Sequence, residues 1–372
     1  MKVLLTATVQ SHICQFHKPL VEVLHEHGYE VHVAARDNLA EKNGLKLDFV
    51  EKVYDVPFAR SPKSKDNLRA YKELKRIIDC GQYDVVHCNT PMGGIVTRLA
   101  ARDARTQGTK VYYTAHGFHF YKGAPKKNWL VFYPIEKFFS RMTDKLITIT
   151  QEDYKLASKK FHCEVEHIHG VGVDEERYLS IEEKEIEKMK EENECVNRTI
   201  LLCVGELNKN KNQKTIIKAL SILVKKYSNI LLLLAGNGSE KEMLEKQIAE
   251  YGLKDNVEML GYRTDLEKYI NMCDILVSAS CREGLPMNIM EAMVCKKVIV
   301  ASENRGHKEL IQNGISGVLV DSQDYKAYAK EISGLIENTK VAEKMVEASW
   351  RNVQPYMKNN VKVELEKIYE MQ

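Results

Sequence analysis

No segment of this sequence is long and apolar enough to cross a bilayer as a helix, which takes about 20 consecutive residues. The apolar run at the start, residues 3–9, is also too short for the core and cleavage site of a signal peptide. We therefore expect a cytoplasmic protein. With only 8 prolines, 20 glycines and no repeat period, a fibrous or linker-dominated chain is excluded.

Paired cysteines are missing as well. The nine cysteines form no C-x-x-C motif, and most lie inside apolar runs, as Cys203 does within residues 200–204. This placement predicts buried, reduced thiols and neither zinc ligands nor disulfides.

The sequence has little excess charge of either sign, because 55 basic and 52 acidic residues leave a formal net charge of only +3. The excess is uneven, with 27 basic against 22 acidic side chains in residues 1–178 and 28 against 30 in residues 179–372. The basic groups are not interleaved with aromatic residues, so we expect no nucleic-acid partner. The basic first half fits a solvated face, an anionic substrate or an anionic membrane surface.

The sequence does contain a regular alternation of short β-rich runs and amphipathic helical segments, which is typical of parallel sheets covered by helices on both faces. In the first half the predicted strands are residues 2–8, 30–35, 85–88, 110–114 and 145–150, and the predicted helices are residues 18–28, 67–80, 93–105 and 134–142. In the second half the predicted strands are residues 199–204, 230–235, 257–260, 275–278 and 298–301, and the predicted helices are residues 213–226, 239–251, 266–273 and 287–295.

These two series predict an α/β protein with two doubly wound, Rossmann-like domains. The strongly charged segment 181–197 marks the boundary, which gives domains of residues 1–178 and 179–355. A C-terminal helix, about residues 356–372, is expected to pack back on the first domain. Because open α/β sheets bind ligands at the carboxyl ends of their strands, we expect the two domains to face a cleft and the protein to be a two-substrate enzyme.

The most informative segment is residues 282–291, REGLPMNIME. Pro286 suits the first turn of a helix and Gly284 lets the backbone approach a ligand, so free N–H groups in residues 285–288 can form a phosphate site. The segment also carries two carboxylates that can accept hydrogen bonds from ligand hydroxyls. They are Glu283 and Glu291.

This spacing resembles the E-x7-E signature of glycosyltransferase family 4, the retaining transferases of GT-B fold. Residues 205–212, GELNKNKN, resemble the family's G-R-L-x-x-x-K-[GN] loop, and residues 233–239, LLAGNGS, resemble its A-G-x-G loop. Residues 261–263 and 304–309 follow strands in the same order as in the family. Residues 113–120, YTAHGFHF, with 86–91 and 128–137, further resemble the EpsD type of bacterial exopolysaccharide and capsule clusters.

The resemblance implies a set of site residues. Glu283 would bind the sugar hydroxyls, Lys211 the diphosphate and His116 the donor sugar, and these three are the catalytic candidates. Glu291 would bind the ribose, and Gly261 and Arg263 the base. The nucleotide-sugar candidates are Gly205, Lys211, Gly236, Gly261, Tyr262, Arg263, Arg282, Gly284, Leu285, Pro286, Met287, Asn288, Glu291 and Arg305. The acceptor candidates are His12, His17, Asn89 and His119, and the three histidines fit ordinary structural roles equally well.

Two positions depart from the family pattern. Glu206 stands where most members have arginine, so Lys211 should carry more of the charge of the diphosphate. The first loop, residues 9–13, lacks the paired glycines that many members use near the donor.

The implied reaction transfers a hexosyl or N-acetylhexosaminyl group, with retention, from a nucleotide-diphosphate donor, expected to be a UDP-sugar. The implied acceptor is a glycan or a polyprenyl-diphosphate-linked sugar in bacterial surface polysaccharide synthesis at the inner face of the cytoplasmic membrane. Basic segments 60–65 and 122–127 are the candidates for contact with that surface. No cofactor or metal is expected, because placed hydrogen-bond donors stabilise the leaving diphosphate and the sequence has no Asp-x-Asp motif.

Two other functions stay open. One is an isomerase of the UDP-sugar 2-epimerase type, which shares the two-domain fold. The other is a non-catalytic partner subunit that binds nucleotide sugar, an alternative based on Glu206 in place of the family's arginine.

Overall fold

The structure, a computed structural model, describes residues 1–42 and 45–371. The chain divides into two units, with Met1–Gly172 and Lys358–Gln372 in unit 1 and Val173–Met357 in unit 2. The boundary predicted after residue 178 therefore lies inside unit 2, and residue 372 of the predicted terminal helix lies outside the described residues.

Unit 1 is built on a seven-stranded parallel sheet with strand order β3-β2-β1-β4-β5-β6-β7. Its strands are β1 (Lys2–Val9), β2 (Glu30–Arg36), β3 (Lys52–Asp55), β4 (Val85–Asn89), β5 (Lys110–Ala115), β6 (Lys145–Thr148) and β7 (Glu164–His167). Its first helices are α1 (Gln10–Phe16), α2 (Lys18–Glu26), α3 (Asp66–Gly81), α4 (Pro91–Ala100), α5 (Arg102–Thr106), α6 (Lys126–Phe139) and α7 (Gln151–Lys160). Short 3-10 turns cover Leu39–Glu41 and Ser140–Met142.

Unit 2 is built on a six-stranded parallel sheet with strand order β10-β9-β8-β11-β12-β13. Its strands are β8 (Thr199–Val204), β9 (Ile230–Ala235), β10 (Val257–Gly261), β11 (Ile275–Ser278), β12 (Val298–Ser302) and β13 (Val318–Val320). Its helices are α8 (Glu175–Leu179), α9 (Glu183–Glu192), α10 (Gln213–Leu223), α11 (Lys241–Glu250), α12 (Leu266–Met272), α13 (Met287–Val294), α14 (Arg305–Leu310), α15 (Tyr325–Glu337) and α16 (Thr339–Val353), followed by a 3-10 turn, Gln354–Tyr356.

Helix α17 (Lys358–Ile368) returns the chain to unit 1. It buries Val361, Leu365 and Ile368. The Tyr369 hydroxyl lies 2.7 Å from His87 Nδ1, and Lys145 Nζ donates to the Ile368 carbonyl at 2.8 Å. The C-terminal segment is therefore part of the core of unit 1.

The predicted fold class is confirmed, since both sheets are parallel and covered by helices. Three local expectations differ. The predicted loop 9–13 is mostly helix α1, which the sequence hides because it is short and has no side-chain cap. The predicted helix 93–105 breaks at Ala101 into α4 and α5. The helix predicted from residue 134 begins at Lys126, and Pro134 lies inside it, where it removes one backbone hydrogen bond.

All nine cysteines are free thiols, and five of them are buried. Cys80 and Cys281 are exposed, contrary to the general expectation of burial. In the described part of the chain, no helix combines the length and the apolar character that crossing a membrane requires.

Candidate active site

The candidate donor site lies in the loops of unit 2 that follow neighbouring parallel strands. Strands β9, β8, β11 and β12 are adjacent in the sheet, so the loops after them meet at one edge. These loops carry most of the residues that the sequence motifs single out.

Lys211 and Glu283, predicted to act on diphosphate and sugar, form an ion pair. Lys211 Nζ lies 2.6 Å from Glu283 Oε1, and the two side chains are 22% and 14% exposed. Asn210 joins the same two loops, because its Nδ2 donates to the Arg282 carbonyl at 3.0 Å and its carbonyl accepts from Cys281 N–H at 2.7 Å. The structure thus brings together two residues that are 72 positions apart in the sequence.

Glycines allow these loops to approach one another. A Cβ atom on Gly236, whose φ is +148°, would lie 2.1 Å from the carbonyl oxygen of Gly205. A Cβ on Gly205, with φ +152°, would lie 3.1 Å from the Lys211 side chain. A Cβ on Gly306 would lie 2.8 Å from Glu283 Cβ. Any larger residue at Gly236 or Gly306 would force the loops apart.

The start of α13 supplies backbone donors. Pro286 is the N-cap residue, just before the helix and not in its first turn, and proline has no N–H to donate. The first helical N–H groups, those of Met287 and Asn288, have no acceptor within the helix and carry the positive end of its dipole. The Asn288 side chain donates to the Val204 carbonyl at 3.1 Å, and Leu285 and Met287 pack against the core.

Glu291 lies in a different environment from Glu283. Burial raises the pKa of its carboxyl group, while a hydrogen bond to Tyr178 and the charge of Arg177 favour the ionised form. Arg177 also binds Glu267, with Nη2 2.6 Å from Oε2. Arg177 and Tyr178 are not among the residues predicted from the sequence, because the predicted boundary assigned both to the first domain and no motif includes them.

The remaining nucleotide candidates are spread around the same sheet edge. Gly261, at the end of β10 with φ +68°, accepts a hydrogen bond from Gly236 N–H at 2.7 Å, and the half-buried Tyr262 follows it. Arg263 is paired with Asp265 through contacts of 2.8 and 2.6 Å, and its guanidinium lies 4.9 Å from the centre of the Tyr269 ring.

Two arginines are the last candidates, Arg282 and Arg305. Arg282 is exposed, and Arg305 begins α14. The sequence assigned no role to His307 in the same helix. It is completely buried, and its Nδ1 lies 2.7 Å from the Ser302 carbonyl. Burial lowers its pKa to about 4, and the charges of Glu283 and Lys211 also act on it.

In unit 1 the structure brings together most of the histidine and asparagine candidates. They follow β1, β4 and β5, which are neighbours in the sheet. His116 Nε2 lies 3.2 Å from both His12 Nε2 and Asn89 Oδ1, and the rings of His17 and His116 are 5.4 Å apart. The ring of His119 stacks on the ring of Phe132, with their centroids 4.7 Å apart.

Comparison with known proteins assigns the family. The family model described as glycosyl transferases group 1 matches residues 184–351, and the model described as glycosyl transferase 4-like matches residues 2–150. EpsD of Bacillus subtilis strain 168 is 40% identical over 347 residues, which cover 92% of this chain and 90% of that protein. The chain belongs to the group 1, family 4 glycosyltransferases. It is therefore a transferase of GT-B type that acts in polysaccharide or glycan biosynthesis, as the motifs predicted.

Two further relatives extend the comparison. The Escherichia coli UDP-Gal:α-D-GlcNAc-diphosphoundecaprenol α-1,3-galactosyltransferase is 26% identical over 299 residues, 78% of this chain and 77% of that enzyme. The crystal structure of Anabaena HepE in complex with UDP-glucose matches with a TM-score of 0.79 at 19% identity, covering 100% of this chain and 99% of that one. At that identity the second match supports the fold alone.

Proposed function

We propose that this glycosyltransferase moves a hexosyl or N-acetylhexosaminyl group from a UDP-sugar, with retention, to a glycan or polyprenyl-diphosphate-linked acceptor in bacterial surface polysaccharide synthesis. The observation that carries the proposal is the Lys211–Glu283 pair at 2.6 Å, which joins the loop after β8 to the loop that leads to the N-terminus of α13. It combines a cation for phosphate with an acceptor for sugar hydroxyls.

When the donor binds, Lys211 exchanges the Glu283 carboxylate for oxygens of the diphosphate. The ammonium group and the N–H groups of Met287 and Asn288 then stabilise the negative charge that grows on the leaving diphosphate. Glu283, released from the ion pair, accepts hydrogen bonds from the sugar. By the family resemblance, His116 also contacts the donor sugar, Glu291 the ribose, and Gly261 with Arg263 the base.

This donor site needs no metal ion, because a lysine and a helix N-terminus stabilise the negative charge of the diphosphate. We expect the affinity for UDP, measured by calorimetry, to be the same in EDTA as in millimolar Mg²⁺. A large gain of affinity with Mg²⁺ would contradict a metal-free donor site.

The donor and acceptor classes rest on the relatives. The name of the E. coli relative specifies a UDP-Gal donor and an α-D-GlcNAc-diphosphoundecaprenol acceptor, and HepE was crystallised with UDP-glucose. A lipid-linked acceptor would bring the enzyme to the inner face of the cytoplasmic membrane as a peripheral protein.

Helix α6 suits contact with an anionic membrane surface. It begins with Lys126 and Lys127 and exposes large apolar side chains, Leu130 at 78% and Phe138 at 52%. Such a combination of basic and apolar groups is typical of interfacial helices. In flotation with liposomes, we expect binding that increases with anionic lipid and falls when Lys126 and Lys127 are both replaced by glutamate. Binding independent of lipid charge would exclude this surface, as well as segment 60–65.

The activity test combines purified protein, a panel of nucleotide sugars and a synthetic polyprenyl-diphosphate-linked acceptor. We expect UDP release that depends on the acceptor and a product whose anomeric configuration, by NMR, equals that of the donor. A new nucleotide sugar formed without acceptor would indicate the epimerase-type isomerase. Donor binding without turnover on any acceptor would indicate the non-catalytic subunit.

A further inference from the structure

Three histidines of unit 1 come together at one edge of its sheet. His12 lies in α1 directly after β1, His17 between α1 and α2, and His116 directly after β5. One ring nitrogen from each lies within 4.8 Å of the others, and His12 Nε2 is 3.2 Å from His116 Nε2. Among the described residues this group consists of histidines alone.

His17 provides an independent indication of a ligand. Its side chain is 3% exposed, and its Nε2 is buried with no hydrogen-bond partner among the described residues. Leaving such an atom unsatisfied costs about 1–3 kcal/mol, so buried ring nitrogens normally have a partner. The neighbouring His87 does not have this property, because both its nitrogens are bonded, to Tyr369 and Thr114.

Burial and the neighbouring groups favour the neutral form of the three imidazoles. Burial is the main cause that lowers the pKa values of His12, His17 and His116, and the value for His116 falls to about 4. The other charges acting on them are one another, His87 and Arg60. Neutral imidazole, with one ring nitrogen lone pair free, is the form that coordinates a metal ion.

We propose that His12, His17 and His116 bind one divalent transition-metal ion of the Zn²⁺ type, with water or a substrate oxygen at the remaining coordination position. Imidazole favours Zn²⁺ and its neighbours over Mg²⁺ and Ca²⁺, which prefer oxygen ligands. Three protein nitrogens with an open fourth position are typical of zinc sites that bind a further small ligand. With the metal bound through these Nε2 atoms, the ring hydrogens of His12 and His116 lie on Nδ1, and coordination replaces the 3.2 Å contacts of His116 Nε2 with His12 Nε2 and Asn89 Oδ1.

This inference touches the proposed function only at His116, the proposed contact of the donor sugar, and does not depend on the diphosphate site or on its metal independence. The donor loops belong to unit 2, and the three histidines to unit 1. Binding of UDP and binding of the metal can therefore be measured separately, and either can fail alone.

The first test is titration of the full-length, chelator-treated protein with Co²⁺, followed by competition with Zn²⁺. We expect one ion per chain, visible absorption bands of tetrahedral Co²⁺, and their loss when Zn²⁺ is added. His17→Ala should weaken binding by about 100-fold or more, since even loss of a residue that supports a ligand costs 10–100-fold. The matched control is His25→Ala, at a partly exposed histidine that binds Glu51, and it should leave affinity unchanged. Equal affinity of wild type and His17→Ala would overturn the proposal.

A second measurement does not need a variant to fold. X-ray absorption of the Zn²⁺-loaded wild-type protein should show three imidazole ligands at about 2.0–2.1 Å. Fewer than three imidazoles, or sulfur at about 2.3 Å from one of the cysteines, would exclude the site.

Discussion

At the scale of single residues, the ion pair of Lys211 with Glu283 predicts opposite effects of two substitutions on UDP binding. Glu283→Gln removes the carboxylate that competes with phosphate for Lys211, so UDP affinity should rise while transfer is lost. Lys211→Met removes the cation and should lower UDP affinity about 10–100-fold, the usual effect of losing a hydrogen bond to a charged group.

Calorimetry with UDP and an acceptor-dependent turnover assay separate these effects. Lys209→Met is the matched control, because Lys209 is exposed in the same loop and should leave UDP affinity unchanged. If Glu283→Gln weakened UDP binding as much as Lys211→Met, the proposal that carboxylate and phosphate compete for Lys211 would be contradicted.

The sequence could identify Lys211 and Glu283 as site candidates, because each lies in a motif with a fixed spacing. It could not predict the role of Tyr178 beside Glu291, since their contact joins residues more than a hundred positions apart and neither spacing nor periodicity encodes it. For His307 the motif was visible, but its burial and its bond to Ser302 became known only from the structure.

At the scale of elements, the loops after β8 and β9 depend on a close approach at Gly238. A Cβ atom there would lie 2.2 Å from the Leu207 carbonyl oxygen, and its φ gives no further strain. Gly238→Ala should therefore destabilise unit 2 by about 1–3 kcal/mol, as overpacking does, and weaken UDP binding.

The control is Gly334→Ala, at an exposed position of helix α15, where no atom of another element lies within 4 Å of the added methyl group. It should stabilise the protein by about 0.5–1 kcal/mol, because alanine favours helix over glycine. Urea unfolding of both variants measures whether the free energy of unfolding falls for Gly238→Ala and rises for Gly334→Ala. Equal effects would mean that the loops can separate without cost.

The C-terminal segment after α17 offers a second prediction for an element. Tyr369→Phe removes the hydroxyl that bonds His87 Nδ1 at 2.7 Å and leaves that buried nitrogen unsatisfied, so we expect a loss of about 1–3 kcal/mol. Denaturant unfolding followed in unit 1 measures it. Tyr251→Phe, at an exposed tyrosine of unit 2, should change nothing. A neutral Tyr369→Phe would show that this hydrogen bond does not stabilise unit 1.

The elements themselves were predictable where burial is uniform. Strands such as β9, buried along its whole length, appear in the sequence as uninterrupted apolar runs. The short edge strands β3 and β7 have no fully buried residue and therefore no such run. Helix α6 was predicted to start too late, because Pro134 suggested a beginning, whereas Trp129 and Tyr133 pack around Phe120 and hold the earlier turns in place.

At the scale of the whole molecule, both units contain buried histidines that must stay neutral in the folded state. His87 in unit 1 and His307 in unit 2 have pKa values of about 3 and about 4, lowered chiefly by burial. An unfolded histidine titrates near pH 6.5. The contribution of these neutral histidines to the free energy of unfolding is therefore fully present above about pH 6.5. It is lost as the pH falls, because the unfolded chain takes up protons that the folded chain does not.

His307 gives this acid sensitivity a direct test. The groups that face it are Ser278, Ser302 and Asn304, with Glu283 and Lys211 nearby, and none offers a carboxylate bonded to the ring. The difference between about 6.5 and about 4 corresponds to roughly 3 kcal/mol, lost between those pH values. His307→Asn keeps an N–H donor for the Ser302 carbonyl but cannot take up a proton. Urea unfolding of unit 2 at pH 7, 6 and 5 should therefore show a smaller decline for His307→Asn than for wild type, whatever its stability at pH 7, and parallel declines would exclude His307 as a source of the sensitivity.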